Sequence, residues 1–163
     1  MSNYGFKQAI EKFNFDLIET PVGDKYVAEA MKKYDAALGG EQSGHIIISD
    51  QLPVGDGLVT LIYVLKAMQH FGVALSDFKR EHLYEYPQKL TNLELENKLN
   101  DEELEYINQI ALDMSIKKDL DGRYLIRNSG TEPLLRVLVE AKSNEAMEEF
   151  SNELITKINK YLN

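Results

Sequence analysis

The sequence predicts an α/β protein in which a partial α/β/α domain is followed by a small domain of β-α-β-β-α order, α+β in character. Three observations carry this reading. Apolar residues at helical spacing alternate with short β-rich runs. A polar stretch over residues 73–87 has no periodicity and carries Pro87, which divides the chain into residues 1–80 and 81–163. Beyond it, a capping-box signature and two strands precede a long amphipathic C-terminal helix.

Taken in order, residues 3–13 form a short helix with Phe6, Ile10 and Phe13 on one side. A second helix over 24–38 places Val27, Ala30, Met31 and Tyr34 on one face, and Gly39-Gly40 is expected to stop it. Residues 45–49, with Ile46, Ile47 and Ile48 in succession, read as a strand buried on both sides. Residues 50–56 read as a loop containing Pro53. The helix over 57–71 has Leu58, Leu61, Ile62, Leu65 and Met68 as its apolar stripe, and Gly72 ends it.

In the second half, residues 90–96 alternate as a half-buried strand. Asn100 and Glu103 have capping-box spacing, and the helix they open buries Leu104, Ile107, Ala111 and Met114. Asp121-Gly122 is a turn. Residues 123–127 and 134–141 are strands joined by a loop over 128–133. The helix over 144–162 aligns Met147, Phe150, Leu154, Ile158 and Tyr161.

Composition narrows the function. The 163 residues carry a formal net charge of −9, which argues against a nucleic-acid surface. Cysteine is absent, which excludes disulfides, thiolate metal sites and cysteine nucleophiles, and fits a reducing compartment. No apolar run suits a signal peptide or a bilayer span, so no membrane partner and a cytoplasmic location are expected.

Two clusters carry chemistry. Arg127, Ser129, Gly130 and Thr131 combine a planar guanidinium, two hydroxyls and a glycine whose neighbouring N–H groups can turn inward around an anion. The bland alternative is a plain strand connection built of turn residues. Glu41, Ser43 and His45 would share one face if their segment is extended, and a carboxylate, a hydroxyl and an imidazole suit vicinal sugar hydroxyls. The bland alternative there is a bulged strand entry. Together the clusters suggest a phosphosugar, and neither supplies a nucleophile. Asp56 reads as a helix N-cap. Asp101-Glu102-Glu103 reads as a solvated first turn. His70 and His82 lack partners at metal-ligand spacing.

The segments Gly39-Gly40-Glu41-Gln42-Ser43-Gly44-His45, Gly55-Asp56-Gly57-Leu58 and Arg127-Asn128-Ser129-Gly130-Thr131-Glu132-Pro133-Leu134-Leu135-Arg136, in that order, resemble the α-D-phosphohexomutase superfamily. Gln42 points to its bacterial phosphoglucosamine mutase branch, because the phosphomannomutase/phosphoglucomutase branch tends to carry methionine there. The resemblance implies interconversion of glucosamine 6-phosphate and glucosamine 1-phosphate through a phosphoserine, with Mg²⁺ held by an aspartate-rich loop. Neither a Ser-His-Asn segment nor an Asp-Gly-Asp segment occurs in this sequence. The resemblance therefore implies a C-terminal fragment, most of domain 3 plus domain 4, with no catalytic residue or metal ligand of its own. The N-terminal domains of the same enzyme would be its partner. The alternatives are a stand-alone phosphosugar-binding module, a member of the phosphomannomutase/phosphoglucomutase branch, or a purely structural α/β protein whose loops are coincidental. The resemblance also implies Glu41, Ser43 and His45 as sugar contacts and Arg127, Ser129, Gly130 and Thr131 as phosphate contacts. Lys25, where the family usually has arginine, and Arg136, which along a strand serves either the loop or solvent, extend the phosphate set. A clipped domain 3 would leave an apolar edge, so self-association is also expected.

Overall fold

The structure, a computed structural model, describes residues 2–52 and 54–162, so Pro53 of the predicted loop lies outside the described residues. The chain divides into two compact units, Met1–Tyr84 and Glu85–Asn163.

The first unit is built from helix α1 (Tyr4–Lys12), helix α2 (Asp24–Tyr34), strands β1 (Leu38–Gly40) and β2 (Ile46–Ile48), and helices α3 (Gly57–Phe71) and α4 (Leu75–His82). The strands pair antiparallel, with Gly39 opposite Ile47. Val27 and Met31 of α2 pack against Ile47, and these three form the buried core of this unit.

Four expectations are corrected here. Helix α2 stops at Tyr34, not at the glycines, because Asp35 turns into the left-handed region (φ 52°) and its N–H closes on the Met31 carbonyl. Gly39 instead lies in β1, where any side chain would collide with Met31 and Val27 of α2. The isoleucine run is not buried on both sides. It forms half of a two-stranded ribbon, and of the three only Ile47 is buried. The stripe on α3 is not covered: Leu58 is 74% exposed, and Leu61, Ile62 and Leu65 are about half exposed. Finally, α4 occupies part of the predicted irregular stretch; its one turn-spaced apolar pair, Leu75 and Phe78, is too short a signal to read. No single helix among the described residues is long and apolar enough to cross a membrane. Helices α3 and α4, bent by 76°, pass that test of length and composition only as a pair.

The second unit comprises β3 (Gln88–Glu94), α5 (Asp101–Lys117), β4 (Gly122–Asn128), β5 (Leu134–Ala141) and α6 (Asn144–Leu162). The sheet order is β3-β5-β4, all antiparallel. Asn100 and Glu103 form the reciprocal capping box. The Ser143 hydroxyl accepts from the Ala146 N–H at the start of α6. One face of β5 sends Leu135, Val137, Val139 and Ala141 into a core with Ile107, Ala111 and Met114 of α5 and Met147, Phe150, Leu154 and Ile158 of α6. The other face carries Arg136, Leu138 and Glu140. Glu140 is fully buried and paired with Arg123, its cross-strand neighbour.

At the start of β4, the Asp121 carboxylate accepts from Lys142 (3.0 Å) and from the Tyr86 hydroxyl (3.1 Å). The Lys142 ammonium, helped by Tyr86, holds this carboxyl below its ordinary range. Because the folded value is the depressed one, the stabilisation is complete above the ordinary carboxylate range. It is lost as pH falls through the Asp121 titration. Lys142→Met is expected to move the Asp121 midpoint upward, as read by carboxyl ¹³C NMR across an acid titration. Leu154→Ala, which empties a fully buried site, is expected to cost about 2–5 kcal/mol in urea unfolding.

Candidate functional site

The candidate residues fall into two groups, one in each unit.

In the first unit, residues 41–45 connect β1 to β2. The segment is a tight turn and not the extended strand expected from alternation. The Glu41 N–H donates to the His45 carbonyl (2.9 Å), and the Gly44 N–H donates to the Glu41 carbonyl (3.1 Å). Gly44 sits at φ 100°, which side chains strain to adopt, so glycine is needed there. The turn still gathers the three side chains. The Ser43 hydroxyl lies 3.5 Å from His45 Nδ1, and Glu41 Oε2 lies 4.0 Å from the same nitrogen. Glu41 Oε1 accepts from the Gly23 N–H (2.9 Å), tying the turn to the residue that precedes α2. One carboxylate oxygen is thus structural, while the other stays beside the imidazole. His45 is largely exposed and Glu41 mostly covered, so the cluster offers both donors and acceptors to a polyol.

Lys25 stands in the first turn of α2. It is 75% exposed, and its ammonium lies 3.8 Å from Glu29. Asp56 caps α3: its carboxylate accepts from the Leu58 and Val59 N–H groups, each at 2.9 Å.

In the second unit, the loop from Asn128 to Leu134 is closed by the Ser129 N–H donating to the Leu134 carbonyl (2.7 Å). Arg127 at the end of β4 is directly opposite Arg136 of β5. Directly opposed residues of an antiparallel pair share a face with Cβ atoms about 5 Å apart, and like charges so placed are destabilising. Arg136 therefore faces the same side as Arg127. Glu132 lies 3.6 Å from the Arg136 guanidinium and offsets part of that repulsion. The Arg127 guanidinium has no hydrogen-bond or ion-pair partner among the described residues. Two further donors are buried without partners: Arg136 Nε and the hydroxyl of Ser129, a residue only 2% exposed. A buried unsatisfied group of this kind costs roughly 1–3 kcal/mol, a penalty that an oxygen acceptor relieves.

Gly130 differs from expectation. It does not adopt a positive φ, so the loop is not a glycine-dependent nest. A Cβ built there meets nothing within 4 Å, so the fold itself does not demand glycine. What glycine leaves is open space above the backbone. The Gly130 and Thr131 N–H groups have no acceptor among the described residues.

Two residues without a role in the sequence reading touch this loop. The Asn128 side chain donates to the Leu99 carbonyl (2.8 Å) and accepts from the Leu99 N–H (3.2 Å). The Lys98 ammonium donates to the Gly130 carbonyl (2.6 Å). Asn128 sits inside the recognised motif, which was the available signal for it. Lys98 lies 32 residues from Gly130, and no local pattern marks it. Among the described residues, no three His, Asp or Glu side chains group closely enough to hold a metal ion. Among the described residues, the side chains present therefore do not fit Mg²⁺.

Comparison with known proteins finds relatives of the chain. Residues 1–86 match the phosphoglucomutase/phosphomannomutase alpha/beta/alpha domain III, and residues 90–157 match the phosphoglucomutase/phosphomannomutase C-terminal domain. Phosphoglucosamine mutase of Bacillus subtilis is 41% identical over 155 residues, covering 95% of this chain and 34% of the relative. Phosphoglucosamine mutase of Streptococcus agalactiae is 46% identical over 150 residues, covering 91% and 33%. This chain thus spans about a third of the length of these curated relatives. Among solved structures, Aspergillus fumigatus N-acetylphosphoglucosamine mutase superposes with a TM-score of 0.78 at 17% identity, over 99% of this chain and 37% of that one. The same fungal enzyme in complex with GlcNAc-6P and magnesium gives a TM-score of 0.73 at 18% identity, over 99% and 40%. At such identities these structures speak for the fold alone.

Proposed function

The chain belongs to the phosphoglucomutase/phosphomannomutase family, and from that premise we propose that it supplies the substrate-recognition portion of a phosphoglucosamine mutase. In this reading the Arg127–Arg136 loop grips the phosphate of glucosamine 6-phosphate or glucosamine 1-phosphate at the end that does not react. Taken by itself, the Glu41, Ser43 and His45 turn of the first unit has the donors and acceptors that sugar hydroxyls take. The observation that carries the proposal is the set of donors left unpaired at this loop and the strand ends beside it, among the described residues: the Arg127 guanidinium, Arg136 Nε and the Ser129 hydroxyl. Two opposed guanidiniums and a buried hydroxyl are costly in isolation. A phosphate dianion converts each cost into a charge-assisted hydrogen bond worth roughly 1.5–3 kcal/mol. The match to phosphoglucosamine mutases at 41% and 46% identity supports the amino-sugar branch.

Holding the distal phosphate lets binding energy remote from the reacting bond position the sugar. On this account Arg127 and Arg136 bind and orient the phosphate, and in the first unit Glu41 keeps one carboxylate oxygen not engaged by Gly23. Phosphoryl transfer belongs to residues outside this sequence, so the chain by itself is expected to bind phosphosugar without turning it over.

The test is calorimetric titration of the chain with glucosamine 6-phosphate, with glucosamine as the phosphate-free control. Arg127→Ala is expected to weaken binding about 10- to 100-fold while circular dichroism stays unchanged. Equal affinity for glucosamine and its 6-phosphate would contradict the assignment of the loop. Turnover of glucosamine 6-phosphate by this chain alone would contradict the division of labour.

A further inference from the structure

We propose that Lys98 is a positioning residue for phosphate recognition, acting through the Gly130–Thr131 peptide and not on the phosphate itself. The inference rests on the reading of residues 127–136 as the phosphate loop.

Three contacts brace that loop against residues 95–99. The Leu95 N–H donates to the Pro133 carbonyl (2.9 Å) at one end. The Asn128 side chain makes its reciprocal pair with Leu99 at the other (2.8 and 3.2 Å). Between them the Lys98 ammonium holds the Gly130 carbonyl at 2.6 Å. The first two contacts fix both loop ends and the segment that bears Lys98. The third sets the Gly130–Thr131 peptide, where Gly130 has no side chain and nothing within 4 Å of where one would be.

A trans peptide is planar, so its carbonyl and its N–H point in opposite directions. Drawing the Gly130 carbonyl toward Lys98 therefore turns the Thr131 N–H away from Lys98. That N–H has no acceptor among the described residues. A donor held in a fixed direction without a partner costs no reorganisation when an anion arrives, which is the advantage of preorganisation. The lysine also compensates the electronegative carbonyl, which would otherwise be free to swing toward an incoming phosphate oxygen and repel it.

The experiment compares the chain with Lys98→Met and Lys98→Arg, using Lys117→Met as a charge-matched control on α5. Each protein is titrated with inorganic phosphate and with glucosamine 6-phosphate. The Thr131 amide is followed by ¹H–¹⁵N NMR with and without ligand. The expected result has three parts. Lys98→Met binds about tenfold more weakly. Its Thr131 amide resonance shifts even without ligand. Lys98→Arg, which can still donate to the carbonyl, recovers most of the affinity, and Lys117→Met binds like the parent. Normal affinity in Lys98→Met overturns the role of Lys98 while leaving the phosphate loop standing. Weakened binding with an unmoved Thr131 resonance overturns positioning in favour of simple charge attraction. Failure of the parent chain to bind either probe overturns the phosphate loop and this inference together.

Discussion

Strand β5 is hydrogen-bonded along both edges, to β3 on one side and β4 on the other. That double pairing is the constraint on which the second unit depends. Leu135, Val137, Val139 and Ala141 must face the helices if the core is to close, and a register slip of one residue would turn them out. The same alternation leaves Arg136 no choice of side. It is held on the far face, opposite Arg127, by the packing of its apolar neighbours. Two like-charged side chains are thus kept on one face by hydrophobic burial elsewhere in the strand.

The far face shows two ways of treating an arginine. Arg123 is matched by Glu140, fully buried and directly across the strand pair. Four residues along β4, Arg127 has no such partner among the described residues. The contrast is what favours Arg127 over Arg123 for the proposed anion site, because both arginines look alike in the sequence. In the first unit the economy is different. Glu41 spends one oxygen on the Gly23 N–H and so stiffens its own turn. A carboxylate anchored in this way presents its second oxygen at lower entropic cost than a freely rotating one.

Much of the second unit was legible in the sequence because its signals are local. The Asn100–Glu103 box, the bounds of β5 over 134–141 and the periodicity of α6 each depend on residues a few positions apart. The first unit was less legible because its outcome depends on distant contacts. Gly39 reads as a helix stop, yet it is glycine because Met31 and Val27 lie against it. The residues 41–45 grouping was legible although its geometry was not: alternation and a tight turn both bring Glu41, Ser43 and His45 together. The stripe on α3 follows helical periodicity, but periodicity does not say what covers it, and in this chain it is exposed. Lys98 could not be read at all, since a side chain reaching a backbone carbonyl 32 residues away leaves no pattern.

Phosphate recognition by the second unit requires the opposed arginines to take one anion together. The direct measurement is ¹⁵N NMR of the arginine Nε–H groups during titration with glucosamine 6-phosphate. The Arg127 and Arg136 signals are expected to move together and saturate at a single ligand concentration, while the signal of Arg123, already paired with Glu140, stays in place. Saturable binding of the phosphosugar with the Arg127 and Arg136 signals unmoved would contradict that requirement.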